Sequence, residues 1–207
     1  MGITLGEIVS EFSRGPDDWV SEELGSPSQD KTVFNAYKKL IGIKAFSNKA
    51  YFVAPPKFLG DQRASYNQKL KFRLKISASD LGPRPSLDDI VITGGLEDMP
   101  KQISIPINGQ GNPMPSGELQ TYEFRLNEHS FSGWLPQLTT SEFFHLFSNV
   151  LSIKIRGSYT TGGEGFIDNV QLESAERGYL GQPAKWLEEC DCPTGYSGQF
   201  CQSCSAG

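Results

Sequence analysis

Residues 69–76, Lys-Leu-Lys-Phe-Arg-Leu-Lys-Ile, alternate without a break. Leu70, Phe72, Leu74 and Ile76 share one face and Lys69, Lys71, Arg73 and Lys75 the other, because successive side chains of an extended chain point to opposite sides. A segment with one apolar and one wet face suits an antiparallel sheet covered on one side only. Shorter period-two runs centre on Ile90–Ile92, Ile103–Ile107, Tyr122–Leu126 and Leu151–Ile155, each bounded by Gly, Pro, Asn or Ser. Thr32–Lys38 and Ala50–Val53 read as further strands, the second stopped by Pro55-Pro56 because proline donates nothing to a ladder. One short helix is expected after Thr139-Thr140-Ser141-Glu142, a capping-box pattern followed by Phe143, Phe144, Leu146 and Phe147 at helical spacing. Leu81–Ser86 and Asn108–Gly117, each with two prolines, read as turn-rich loops. Strand upon strand with one helix predicts an all-β chain, an antiparallel β-sandwich of jelly-roll type.

Composition narrows the function classes. A net charge of −5 over 207 residues lacks the electropositive footprint of a nucleic-acid binder. No apolar run approaches the ~20 residues of a membrane span, and MGITLGEIVSEF has neither the basic flank nor the apolar stretch of a signal peptide. Met1 on a chain that otherwise looks extracellular reads as an added start, with targeting information removed, and residues 1–10 as a flexible lead-in. No nucleophile elbow, P-loop, H-E-x-x-H or G-x-G-x-x-G occurs, so the motif routes to an enzyme are closed. The acid doublets Asp17-Asp18, Glu22-Glu23, Asp88-Asp89 and Glu188-Glu189 read as solvated turn charges, since neighbours along a strand face opposite ways. His129 and His145 read as surface or packing residues.

All four cysteines, Cys190, Cys192, Cys201 and Cys204, lie in the last eighteen residues. That density in a Gly/Pro-rich tail reads as a disulfide framework of an oxidising compartment, with three pairings open. A four-cysteine zinc site fits less well, because Cys190 and Cys192 are separated by a single residue. A domain boundary is expected near Gln182-Pro183, giving a sandwich over 11–182 and a small disulfide-rich segment over 183–207.

The run Cys192-Pro-Thr-Gly-Tyr-Ser-Gly-Gln-Phe-Cys201-Gln-Ser-Cys204 resembles the later half of a laminin-type EGF-like module. Ala50–Gln62 (AYFVAPPKFLGDQ), Tyr66–Leu70, Thr121–His129 (TYEFRLNEH) and Gly165–Val170 (GFIDNV) resemble laminin IV type A, or L4, domains. The resemblance implies a Cys192–Cys201 bond, leaving the partners of Cys190 and Cys204 undefined. It also implies a secreted, non-catalytic domain of a basement-membrane laminin short arm. Such a domain supports matrix assembly and cell adhesion within a heterotrimer whose beta and gamma chains join through other regions. The alternative it leaves open is an adhesion module that binds glycans or receptors, related to carbohydrate-binding modules.

Three sets of residues bear on that alternative. The stripe Lys71, Arg73 and Lys75, with Lys69 and an extension through Lys154 and Arg156, offers cations to a sulfated glycan or an acidic protein. Trp134, Tyr51, Tyr66 and Tyr159 are the aromatic candidates for stacking on a sugar. Asp168, set with Asn169 inside the apolar run Phe166–Val170, sits where jelly-roll modules can hold a structural calcium, although the other oxygens that calcium needs are not identifiable. No cofactor is expected beyond that candidate ion.

Overall fold

The computed structural model describes residues 3–23, 30–77, 82–177, 196–197 and 203–204. Gly6–Ala175 forms one compact unit, and Glu176–Gly207 falls with Met1–Leu5 in a second. The described part of the second is a two-stranded pair, in which Tyr196 is opposite Cys204. Gln182-Pro183, Cys190, Cys192 and Cys201 lie outside the described residues, as does the side chain of Cys204.

In chain order the strands are β1 (Ile3–Ser10), β2 (Val20–Glu23), β3 (Thr32–Asn35), β4 (Leu40–Lys44), β5 (Ala50–Val53), β6 (Lys69–Ile76), β7 (Ile90–Leu96), β8 (Met99–Ile105) and β9 (Gln120–Arg125). Helix α1 (Thr140–Ser148) then precedes β10 (Val150–Arg156) and β11 (Glu164–Arg177), and the tail pair is β12 (Tyr196–Ser197) and β13 (Ser203–Cys204). One sheet runs β3-β4-β11-β6-β9, with β1 also on β11, so residues 3–10, expected as a flexible lead-in, form a strand of the sandwich instead; the other sheet runs β2-β5-β10-β7-β8. Every pairing whose register is resolved is antiparallel. This is the expected β-sandwich of jelly-roll type.

The apolar faces meet between the sheets. From β6, Leu70, Phe72, Leu74 and Ile76 are buried, and Phe72 stacks on Tyr122 and Phe124 of β9 with ring centroids 5.4 and 6.0 Å apart. Ile90, Ile92, Ile103, Ile105, Ile153 and Ile155 face them from the other sheet. Burying one such side chain stabilises the fold by about 1.5–3 kcal/mol relative to leaving it in water. The helix begins as expected: Thr139 accepts from the Glu142 amide and Glu142 from the Thr139 amide, and Phe143, Leu146 and Phe147 turn inward.

Thr32–Lys38 is only half strand. The Asn35 carboxamide accepts the Lys38 amide at 2.9 Å and Lys39 adopts φ 53°, so the chain reverses immediately after Asn35 into β4. Strand β4 shows no alternation in sequence because Leu40, Ile41, Gly42 and Ile43 are all buried, with the ring of Phe166 lying over Gly42.

Glu23, at the end of β2, binds the Lys31 ammonium at 2.6 Å and accepts the Ser47 amide at 2.5 Å. Burial pushes its pKa up, but these partners win and hold it at about 2, against 4.5 for a free side chain. A depressed carboxyl stabilises the fold fully above pH 4.5, and the contribution is lost as pH falls towards 2. Glu23→Gln is therefore expected to lower stability at neutral pH and to flatten its decline over that acid range, read from urea midpoints at a series of pH values.

Candidate functional surface

Strand β6 lies between β11 and β9, so its cationic face is flanked by two strands whose outward side chains are set by register. Lys71 is opposite Glu123 of β9, Lys69 opposite Arg125, and Arg73 opposite Asp168 of β11. Each cation finds a partner within this sheet. Lys69 binds Glu123 at 2.7 Å, Lys71 binds Glu173 at 2.5 Å, and Arg73 reaches Asp168 at 3.4 Å. The Lys75 ammonium stands 5.1 Å from the centroid of the Phe166 ring. Hydrogen bonding by Lys69 holds the Glu123 carboxyl below its ordinary range, and Glu173 raises the Lys71 ammonium. The stripe is a ladder of half-exposed pairs, each contributing about 0–1 kcal/mol, whose charges cancel locally.

The proposed extension of the stripe does not form. Lys154 lies on β10 in the other sheet and pairs with Glu22 at 2.9 Å. Arg156, at the end of β10, is buried. Its guanidinium binds the Asp89 carboxylate at 2.9 Å and donates to the carbonyls of Asn48, Ser158 and Arg84, with the Tyr159 ring 4.3 Å away. The other Asp89 oxygen accepts the amides of Ser86 and Ile107. Burial raises the Asp89 pKa, opposed by those two amides and Arg156.

The aromatic candidates are packing residues. Trp134 is 5% exposed, donates its indole N–H to the Arg125 carbonyl at 2.8 Å and packs edge-on against Phe124. Tyr51 and Tyr159 are buried, and Tyr66 rests against Phe143 and Phe144. Trp134, Tyr51 and Tyr159 present no free ring face to a sugar, and Tyr66 is half-buried. Phe166, which sequence reasoning did not single out as a platform, is the aromatic on the outer face of this sheet, half-buried under Lys75.

Asp168 owes its setting to a bulge. Asp168 pairs with Arg73 and Gln171 with Lys71, so three steps along β11 match two along β6, and Asn169 takes the extra position at φ 48°. The bulge resets the alternation, which lets Ile167 and Val170 both point inward around two polar residues. Burial raises the Asp168 pKa and Arg73 opposes it. A guanidinium stands beside this carboxylate, and among the described residues there is no cluster of three or more His, Cys, Asp or Glu.

Three kinds of partner escaped sequence reasoning or were misread by it: Glu123 and Glu173, which neutralise the ladder; Asp89, expected as a solvated turn charge but buried and fixing Arg156; and Gln110 and Asn112, which line the outer edge of β9. Only Glu123 carried a signal, as an outward residue in the alternating TYEFR.

A family model described as Laminin B (Domain IV) matches residues 51–188. Laminin subunit gamma-2 of Homo sapiens is 39% identical over 99% of the chain and 16% of its own length. Laminin subunit gamma-1 of Homo sapiens is 39% identical over 100% of the chain and 12% of its own length. The chain thus spans about a sixth or less of the curated relatives it matches. Among solved structures, the L4b domain of human laminin alpha-2 superimposes with a TM-score of 0.60 at 18% identity, covering 76% of this chain and 90% of that one. The family 11 carbohydrate-binding module of the Clostridium thermocellum cellulase Lic26A-Cel5E gives 0.50 at 14% identity, covering 84% and 98%. The expectation that the words of the globular part lie nearest the alpha-2 subunit is corrected: the gamma subunits are relatives at 39% over the whole chain, and alpha-2, at 18% identity, is a likeness of fold.

Proposed function

The chain belongs to the laminin B (domain IV) family, and on that premise we propose that it is a non-catalytic structural domain of a laminin short arm, serving basement-membrane assembly and cell attachment as a spacer. The observation that carries the spacer reading is the ladder on β6. Four cations that would make a docking stripe are already engaged by Glu123, Glu173, Asp168 and the Phe166 ring of the same sheet. With gamma subunits as relatives, the chain takes the gamma place itself, so the other two kinds of chain, rather than beta and gamma, are the partners in the heterotrimer. They join through regions outside this segment, and the site of action is the secreted matrix. No helix among the described residues is long and apolar enough to cross a membrane.

The glycan-binding alternative is supported by the fold match to a carbohydrate-binding module and by Phe166 on the outer face. Isothermal titration of the chain with sulfated and with neutral oligosaccharides, with and without calcium and at two salt concentrations, separates the readings. The expected result is no saturable heat. Saturable binding that disappears in Arg73→Ala would overturn the spacer reading in favour of a lectin-like one.

A further inference from the structure

Among the described strands, β9 closes one side of its sheet, paired with β6 alone. An open edge of this kind offers a row of unpaired N–H and C=O groups to any second strand. Here four of those groups are taken by two side chains of the 108–117 loop. Asn112 accepts the Glu123 amide at 3.0 Å and donates to the Glu123 carbonyl at 2.8 Å. Gln110 accepts the Arg125 amide at 2.7 Å and donates to the Arg125 carbonyl at 3.1 Å. A carboxamide carries one acceptor and donors on one planar group, as a peptide unit does, so each side chain stands in for one residue of a missing strand. The loop is braced for this task. Asn112 also donates to Gly109, Gln110 also donates to Ser132, and the Ile76 amide binds the Ser116 carbonyl at the far end. Gln110 is held at φ 56°, a conformation that costs a non-glycine residue energy.

We propose that Gln110 and Asn112 are an edge guard, and that the groups they cover form a strand-addition site for the β9 edge of a second copy of this chain. The register argues for that occupant. In a two-fold antiparallel pair centred on Phe124, the outward-facing backbone groups of Glu123 in one copy meet those of Arg125 in the other. Each Glu123 side chain then lies opposite an Arg125, so the match is complementary in hydrogen bonding and in charge at both symmetric positions. The guard occupies the same four groups, so pairing between copies and pairing with the loop exclude one another.

The test is sedimentation velocity over a concentration series, comparing the 207-residue chain with Gln110→Ala/Asn112→Ala. The variant is expected to dimerise with an apparent dissociation constant lower by about tenfold or more. Adding Glu123→Pro should restore the monomer, because residue 123 directs its N–H outward and a proline there spares the β6 ladder. Gln110→Glu/Asn112→Asp keeps side-chain volume but loses both amide donors, and is expected to associate likewise. A monomer in whichever variant keeps the native circular dichroism, or a dimer that survives Glu123→Pro, would overturn the proposal.

Discussion

Gly165→Ala is expected to abolish the cooperative fold. A Cβ on Gly165, at the start of β11, would stand 1.6 Å from the carbonyl oxygen of Gly157 and 2.6 Å from its carbon. Both obstacles are backbone. Gly157 cannot retreat, because its own Cα faces the Phe52 ring, against which an added Cβ would lie at 2.5 Å. This is where the chain leaves the end of β10 and enters β11, passing from one sheet to the other, and two glycines let the backbones touch. Ordinary overpacking costs about 1–3 kcal/mol because side chains can shift. With only backbone to move, about 4 kcal/mol or more is expected, comparable to the whole stability of a marginal domain. Gly162→Ala is the control. It lies in the same connection at φ 71° with nothing within 4 Å, so its cost is the left-handed backbone alone, about 1–2 kcal/mol. Thermal unfolding of the two variants checks the ordering.

Asp89→Ala is expected to cost about 3–5 kcal/mol, the range for removing one partner of a buried ion pair and stranding the other. Arg156 and Asp89 side chains are 5% and 0% exposed, and together they tie the segments around Asn48, Arg84, Ser86, Ile107 and Ser158 to the end of β10. Asp89→Asn keeps an acceptor for the Ser86 and Ile107 amides and removes the charge, so its loss should be smaller. Urea titrations in which the midpoint falls and the slope holds would show both effects as native-state stability.

Much of the fold was legible in the sequence because strands such as β6 and β9 keep one face wet. β6 shows this best: its alternation fixes which residues enter the core and which remain outside. Alternation is silent where both faces are covered, as in β4, and where both are polar, as in the edge strand β2. It misleads at Arg156, which continues the outward series of Lys154 but is roofed by loops from two distant parts of the chain, around Asn48 and around Arg84–Asp89. Trp134 looked like a platform because its burial depends on the Ser104–Leu135 bridge, a contact between residues far apart in sequence. The bulge at Asn169 and the guard at Gln110 and Asn112 are tertiary inventions of the same kind. Each rests on side chains meeting a strand whose position no local pattern specifies.

On the spacer reading, the charges on β6 serve the sheet rather than a partner. A swapped ladder asks this directly: Lys69→Glu with Glu123→Lys, and Lys71→Glu with Glu173→Lys, in the full-length laminin chain that carries this domain. Each pair keeps an opposite partner within the sheet while the pattern seen from outside is inverted. The quantity to measure is incorporation of the secreted trimer into a basement-membrane matrix, with the melting temperature of the isolated chain as the check on folding. Incorporation equal to wild type, with the melting temperature held, is the expected result. A folded chain whose trimer is secreted but fails to incorporate would show that an external partner reads this face, and would contradict the spacer assignment.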